Sequence, residues 1–302
     1  MRPDSVSKNK GVALIFVSAL MFGSYGVWSR LIGNSFGVFY QSWTRALLLS
    51  IVIFPILYFS KQIIPIKRMD WKWMSIFLIS TSLTQAPIFY AFNHMDIGTA
   101  TLLFFTSTLL TMYAFGFLFF GEKADKIKLT SFLIACLGFY ITFSFSLIAF
   151  SLLVASMAVL NGMASGTELS SSKKLSDTYS ALYITWLSWI IIFVTNGIVS
   201  FALNEVQYIP SFSLPWAYLV GYAVAGILGF WLAIEGLKYV EASIGGLLGL
   251  LEIIFSIGFG ILVFNESLTS KVLVGGILIM CAAALPHLAE LKRSVGFKRR
   301  EM

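Results

Sequence analysis

The sequence is poor in charge, in cysteine and histidine, and in the short motifs by which enzymes are recognised. Only 12% of its 302 residues are charged, whereas an ordinary soluble domain has about 25%. There are two histidines and two cysteines, and no HExxH, CxxC, nucleophile elbow or phosphate-binding glycine loop. The sequence therefore predicts a protein that is not an enzyme, has no metal site and needs no cofactor.

The two cysteines, Cys136 and Cys281, both fall within apolar runs. Cysteines in such runs behave as small buried hydrophobic side chains. The alternative is a redox pair. We expect both thiols to be buried and unpaired.

The sequence contains many long runs of apolar residues. Hydrophobic residues make up 58% of the chain and the mean hydropathy is +0.86. A bilayer core needs roughly 20 apolar residues per helix, so these runs predict an all-α integral membrane protein with ten transmembrane helices. The first run is too long for a signal peptide and is predicted to be retained. The predicted spans are residues 11–32, 37–59, 72–92, 97–119, 128–146, 148–170, 178–203, 215–236, 242–264 and 270–289.

The junction between the fifth and sixth spans is the least marked, because the segment SFSLIAFS contains no charge. A fused or re-entrant pair is the competing interpretation. The stretch 127–170 nevertheless has too many apolar residues for one span, so the count stays at ten.

The lysines and arginines predict the orientation. With the amino terminus inside, all of them except Arg30, Arg45 and Lys271 fall on the cytoplasmic side, as the positive-inside rule requires. Both termini are therefore predicted to be cytoplasmic, in a multi-pass protein of the prokaryotic inner membrane. The net charge of +7 is explained by contact with anionic lipid, so the partner is the lipid bilayer and not nucleic acid.

The chain resembles itself at an offset of 144, where FGFLFFGE (115–122) matches FGILVFNE (259–266) at five of eight positions. YQSW and YITW align at an offset of 143. We infer two five-helix repeats, 1–146 and 147–290, followed by a basic cytoplasmic tail, 291–302. Because each repeat has an odd number of spans, the second is inverted relative to the first. Inverted repeats are typical of secondary transporters with a substrate site near the midplane.

Two further features carry a resemblance to a known family. The fourth helix of each half ends in a small residue and a glutamate, Gly121-Glu122 and Asn265-Glu266, and residues 250–266 read LLEIIFSIGFGILVFNE. In these features the chain resembles the drug/metabolite transporter superfamily, EamA type. The resemblance implies an exporter or exchanger of small metabolites that works by alternating access. It also implies a cavity lined mainly by the first, third, fourth, sixth, eighth and ninth helices.

The chain departs from the family pattern at one point. The family often has proline after the ninth-helix glutamate, where this chain has Ile253, and Leu109 stands at the equivalent place of the first half. A helix break is therefore not expected there. Pro87 is expected to bend the third span instead.

Two charges are predicted to lie well inside spans. Such charges cost about 2.5–3.5 kcal/mol each on the insertion scale and are functional candidates by default. Glu252 lies about ten residues into the ninth span, close to the midplane by helical rise, and Arg45 lies within the second span. The alternative for each is an interhelical partner that fixes packing. Glu168 and Glu235 are predicted to be interfacial.

Polar and aromatic residues at similar depth complete the predicted site. Thr108 is the repeat equivalent of Glu252. Such a mixture suits an apolar or aromatic amino acid or a related amphipathic compound, although Trp and Tyr are also enriched at the lipid interface. Glu122 and Glu266 are candidates for gating or for capping helix ends. The substrate-site candidates are Glu252, Arg45, Thr108, Gln85, Asn161, Trp28, Tyr90 and Trp231.

Small residues at GxxxG spacing occur at Gly162 and Gly166 and again at Gly245 and Gly249. They predict close helix packing in the sixth and ninth spans.

Two functions remain open from the sequence. The first is a secondary transporter that exports or exchanges an amino acid or a related small molecule. Glu252 would allow proton coupling in it, and uniport or exchange are the alternatives. The second is a membrane receptor or assembly factor that keeps a transporter-like scaffold without transport activity.

Overall fold

The computed structural model describes residues 5–120, 126–237, 239 and 251–300, and the regular secondary structure in these ranges is helical. Within these described ranges, seven helical stretches are long and apolar enough to cross a membrane. Three shorter apolar helices, Leu129–Ile141, Leu251–Phe264 and Ser270–Ala282, lie in the predicted fifth, ninth and tenth spans. An all-α, multi-pass membrane protein is confirmed, and the count of ten spans stays a prediction.

The described ranges contain twelve α-helices, with two 3₁₀ turns at Gly33–Ser35 and Arg68–Asp70. The helices are α1 (Ser5–Gly23), α2 (Tyr25–Ile32), α3 (Val38–Phe59), α4 (Trp71–Thr81), α5 (Ala86–His94), α6 (Ile97–Leu118), α7 (Lys126–Ala149), α8 (Leu152–Leu175), α9 (Ala181–Ala202), α10 (Leu214–Leu237), α11 (Leu251–Phe264) and α12 (Ser270–Arg300).

The first predicted span is broken between α1 and α2. Ser24 lies at the break, where its hydroxyl donates to the Met21 carbonyl at 2.6 Å and accepts from the Trp28 indole at 3.0 Å. Serine hydroxyls that bond the preceding turn in this way bend helices. The hydropathy of residues 11–32 predicts one continuous span and does not predict this break.

The third predicted span is broken as well, between α4 and α5, directly before Pro87 as the sequence predicts. Two carbonyls of the connecting turn, those of Ser82 and Leu83, accept side-chain hydrogen bonds. Asn196 donates to the first at 3.1 Å and Asn161 donates to the second at 3.3 Å. The two asparagines replace donors that a continuous helix would have supplied.

The junction of the fifth and sixth spans is a turn between two separate helices. The Ser151 hydroxyl caps α8 by accepting from the Val154 amide at 3.2 Å. A serine N-cap marks the start of a new helix, so the two spans are not fused.

One expectation about the two cysteines needs correction. Cys281 is exposed and not buried, whereas Cys136 is partly buried, and neither forms a disulfide with another described residue. A cysteine side chain can be exposed on a surface that faces lipid, because it behaves as a small hydrophobic group. The last helix, α12, continues through the predicted tail as far as Arg300.

Helices of the first half pack on helices of the second. The main pairs are α1 with α10, α3 with α9, α6 with α8 and α7 with α12. A Cβ on Gly162 would overlap the Phe104 carbonyl, and one on Gly166 would lie 2.7 Å from the Thr108 carbonyl. The first GxxxG motif therefore lets α8 approach α6 closely. Gly245 and Gly249 lie outside the described residues.

Large apolar side chains cover the outer surface, as lipid contact requires. Ile198 is 64% exposed and Leu133 is 59% exposed. In a protein surrounded by water such a surface would cause aggregation, so the exposed side chains agree with a position in the bilayer.

Candidate functional site

A cavity of about 370 Å³ lies between the two halves of the bundle. The six helices that the family resemblance implies all contribute to its wall, and α3 and α9, from the second and seventh spans, contribute as well. Five of the eight predicted substrate-site residues line this cavity: Arg45, Gln85, Thr108, Asn161 and Glu252.

Arg45 projects from α3 into an aromatic enclosure and is only 1% exposed. Its guanidinium carbon lies 4.0 Å from the ring centre of Tyr222, 4.8 Å from Tyr25, 5.2 Å from Trp189 and 5.7 Å from Phe89. Cation–π contact stabilises the charge. Its three side-chain nitrogens nevertheless form no hydrogen bond within the part of the chain that the structure describes.

Glu252 lies one residue into α11 and is half-buried in the cavity wall. The structure gives it no hydrogen bond or ion pair with any described residue, and its oxygens are farther than 4.0 Å from the Arg45 nitrogens. Tyr25 lines the same cavity, and its ring centre lies 4.8 Å from the Arg45 guanidinium carbon. The cavity thus holds a cation and a carboxylate that do not neutralise each other directly.

Thr108 and Asn161 line the cavity while their polar groups hold its wall together. The Thr108 hydroxyl is 2.9 Å from the Phe104 carbonyl and 3.1 Å from the Gly162 carbonyl on α8. The Asn161 amide donates to the broken turn described above. Gln85 is half-buried at the start of α5.

Three aromatic candidates are placed elsewhere. Trp231 is 58% exposed on the surface of α10, and Tyr90 stacks on His94 at 4.2 Å. Trp28 packs beside Gly221, where a Cβ would lie 2.8 Å from the indole ring. None of the three lines the cavity. Large aromatic side chains occur at the lipid interface as readily as in a cavity wall. The sequence pattern does not distinguish these two positions.

The cavity is also lined by residues that were not predicted from the sequence as substrate-site residues. Glu168 lines it and accepts a hydrogen bond from Ser188 at 2.6 Å, so its predicted interfacial position is corrected. Its signal was a lone acid in the run GMASGTELS. Trp189 and Tyr222 carried no such signal, because aromatic residues make up 16% of the chain.

One end of the bundle, here called the Glu266 end, holds the α5–α6, α9–α10 and α11–α12 connections. Glu266 accepts from the Ile97 amide at 2.8 Å and forms an ion pair with Arg30. Arg30 also donates to the carbonyls of Phe92, at 3.0 Å, and Met95. This network ties α2, α6 and the α11–α12 connection together. Glu122, the repeat equivalent of Glu266, lies outside the described residues.

A second carboxylate fastens the same end. Glu205, which follows α9, accepts from the Tyr40 amide at 2.6 Å and from the Ser200 hydroxyl at 2.8 Å. It thereby caps the amino end of α3. A Cβ on Gly37 would overlap the Glu205 carboxylate, so glycine makes this close approach possible.

Asp96, just before α6, lies beside the Arg30–Glu266 pair. Burial raises the pKa of the Asp96 carboxyl, the neighbouring Glu266 carboxylate raises it further, and Arg30 opposes the shift. The Asp96 and Glu266 carboxylates and the Arg30 guanidinium thus form one cluster at the Glu266 end.

The opposite end, here called the Tyr179 end, holds the α3–α4 and α8–α9 connections. The Tyr179 hydroxyl donates to the Asp70 carboxylate at 2.9 Å and accepts from the Lys67 amide at 2.8 Å. Tyr179 is 2% exposed, so both of its bonds are shielded from solvent. They join the two halves of the chain at this end.

Comparisons with known proteins agree with this architecture. A sequence model described as the EamA-like transporter family matches residues 9–144 and again residues 152–286. One solved structure, described only as "Crystal structure of protein", covers 93% of this chain and 97% of its own with a TM-score of 0.61. Its sequence identity is 14%, so the likeness shows the fold alone.

A search of curated proteins found no match. The family model nevertheless covers most of the chain, in two consecutive repeats. The chain therefore belongs to the EamA-like transporter family.

Proposed function

We propose that the protein is a secondary transporter that moves an amino acid or a related small amphipathic metabolite across a prokaryotic inner membrane by export or exchange. The observation that carries the proposal is the cavity between the two halves, where Arg45 and Glu252 lie without pairing. Charged groups inside a membrane bundle mark substrate or ion pathways by default. Membership of a transporter family supports the same conclusion.

Alternating access requires a cavity that is closed at one end while the other is open. Lining residues near the Glu266 end are buried, with Ile88 7%, Phe92 5% and Thr101 3% exposed. Near the Tyr179 end, Phe77 and Ile184 are buried too, whereas Ser172 and Thr185 are partly exposed. The exposure of this polar pair supports a conformation closed at the Glu266 end. With both termini cytoplasmic, as the lysine and arginine distribution predicts, that conformation faces inward.

The roles of the cavity residues follow from their contacts. Arg45, Glu252 and Gln85 offer polar groups to a substrate, while Phe104 and Phe105 supply apolar wall. Thr108 and Asn161 shape the cavity through their hydrogen bonds to neighbouring helices. Pockets with a few placed polar groups in an apolar lining bind amphipathic small molecules.

The experiment is a flux measurement in proteoliposomes with radiolabelled apolar, aromatic and small polar amino acids. We expect saturable counter-flow for one class and a loss of at least about tenfold in Glu252→Gln, because a charge-assisted contact to the substrate is removed. The matched control is Glu235→Gln on α10, since Glu235 bonds Tyr239 at 3.2 Å and lies outside the cavity. It should transport like the wild type.

The contrary outcomes are distinct. Correctly folded protein without saturable flux of any compound would favour the receptor or assembly-factor alternative. Normal flux in both Glu252→Gln and Glu252→Ala would remove Glu252 from the site. An imposed proton gradient tests coupling: stimulation in the wild type that is lost in Glu252→Gln would assign the coupling to this carboxylate.

A further inference from the structure

We propose that the Arg45 enclosure is the binding subsite for a substrate carboxylate, and that Glu252 receives the ammonium group of the same zwitterionic substrate. The inference rests on the proposed function, because it takes the cavity to be the substrate site. It adds the chemical group that each charged residue recognises.

The first support is the state of the Arg45 guanidinium. It is 1% exposed, yet none of its nitrogens has a hydrogen-bond partner among the residues described. A buried charged donor without acceptors is unfavourable. The surrounding rings stabilise the charge through their faces, but ring faces do not replace in-plane acceptors. The in-plane N–H groups therefore lack the acceptors that a bound anion would supply. Because each of these nitrogens has almost no exposed surface in this conformation, a ligand reaches them only after the surrounding rings shift.

A second donor lies beside the first. Tyr222 is 1% exposed and packs 4.0 Å from the guanidinium carbon. Its hydroxyl also has no hydrogen-bond partner in the described ranges. Buried hydroxyls are nearly always bonded. The Tyr222 oxygen lies close to the Arg45 guanidinium without hydrogen-bond geometry, and an acceptor for the Tyr222 O–H and the Arg45 N–H groups is still missing among the described residues.

The geometry of the guanidinium selects the chemical class. Its planar array of N–H donors matches the two oxygens of a carboxylate in a bidentate contact. The surrounding rings leave the subsite apolar, which suits the carbon skeleton of a small organic acid. A carboxylate would satisfy Arg45 and Tyr222 together.

The charges that line the cavity favour a zwitterionic substrate. The wall also carries Glu252 and Glu168, so an anion without a compensating cation would meet like charge. Glu168 already accepts from Ser188 at 2.6 Å, whereas Glu252 has no partner in the described part of the chain. Tyr25, whose ring centre lies 4.8 Å from the Arg45 guanidinium carbon, lines the same cavity as Glu252. An α-amino acid carries its carboxylate and its ammonium on one carbon.

The test compares matched ligands in competition and binding assays. The probes are phenylalanine and leucine, their neutral amides, their decarboxylated amines, and 3-phenylpropionate, which retains the carboxylate and lacks the ammonium. For the wild type we expect the amides and amines to bind about 30-fold more weakly than the amino acids, the effect of losing a charge-assisted bidentate contact. In Arg45→Met this preference should fall to within about threefold.

Further variants separate recognition from folding. Tyr222→Phe removes only a hydroxyl that is unbonded in the structure, so it should weaken the amino acids about threefold to tenfold and leave the amines unchanged. Arg45→Lys keeps the charge without the bidentate geometry and should restore binding in part. Glu252→Gln should reduce the preference for phenylalanine over 3-phenylpropionate. Lys271→Met, which changes an exposed cation outside the cavity, is the matched control.

Each outcome decides the proposal. Amides and amines that bind the wild type as tightly as the amino acids would overturn it, even if transport occurs. A carboxylate preference that survives in folded Arg45→Met would overturn it too. Carboxylate-dependent binding without flux would leave the subsite in place and refute transport, so the two proposals fail separately. If Arg45→Met does not fold, Tyr222→Phe and Arg45→Lys decide the outcome.

Discussion

Two arginines on neighbouring helices, Arg30 on α2 and Arg45 on α3, have opposite surroundings. Arg30 is surrounded by acceptors, since it pairs with Glu266 and donates to two backbone carbonyls at the α5–α6 connection. Arg45 is surrounded by four aromatic rings and has no acceptor within the described residues. Both positions are costly for a charge in a membrane. The first cost is offset by a structural network, whereas the second is offset only by ring faces among the described residues.

The largest expected effect is the loss of stability in Arg30→Met. This variant leaves the Glu266 carboxylate, which is 8% exposed, without its cation, so we expect unfolding to be easier by about 3 kcal/mol. Thermal or denaturant unfolding in detergent measures it. The double variant Arg30→Met/Glu266→Gln should cost much less than the sum of the single effects. Additive effects would show that the ion pair does not couple the two residues.

The next effect compares two buried tyrosines. Tyr179→Phe removes hydroxyl bonds to Asp70 and to the Lys67 amide, so we expect a loss of about 1–2 kcal/mol. Tyr222→Phe removes a hydroxyl with no described partner and should leave the ligand-free stability unchanged. Equal destabilisation of both variants would mean that the Tyr222 hydroxyl is already bonded in the empty protein.

Arg45→Met should change the ligand-free stability by no more than about 1 kcal/mol, in either direction. The variant loses cation–π stabilisation but also removes an unsatisfied buried charge, a replacement that is often neutral. The same unfolding assay as for Arg30→Met measures it. A loss as large as that of Arg30→Met would place a structural acceptor beside Arg45 and remove the contrast between the two arginines.

The smallest effect concerns Asp96 and depends on pH. Because the folded-state pKa of Asp96 is raised, its ionised form destabilises the fold, and this penalty is lost as the pH falls through the folded-state pKa. Asp96→Asn should therefore be more stable than the wild type by a few tenths of a kcal/mol at neutral pH. Melting curves between neutral and acidic pH should show the difference shrinking toward zero. A difference that grows on acidification would give the pKa shift the opposite sign.

The candidate site was predictable from the sequence where a residue was exceptional in its surroundings. Glu252 and Arg45 are charges in apolar runs, and a charge inside a span must face the protein or a water-filled cavity. Both line the cavity. Pro87 likewise marked the break of the third span, because proline cannot continue the helix without losing a hydrogen bond.

The positions of side chains were not predictable where the chain has many residues of one type and only a few of them line the cavity. Trp231 and Trp189 are alike in sequence context, yet the first faces outward at 58% exposure and the second lies over Arg45. Glu168 was expected at the interface because it lies near a span end, but α9 packs beside it and Ser188 donates to it. The sequence around Glu168 gives no sign that Ser188, 20 residues away, lies next to it.

The sequence by itself determined that the chain is a helical membrane protein, that it contains two related halves and that it resembles the EamA-type transporters. These properties are sums over about twenty residues of hydropathy or direct matches between segments, so they do not depend on which side chains meet. Only the tertiary structure decided that Arg30 has acceptors and Arg45 has none among the described residues. That difference depends on contacts such as Arg30–Glu266, between residues 236 positions apart in the sequence. The packing of α2 against the α11–α12 connection creates those contacts.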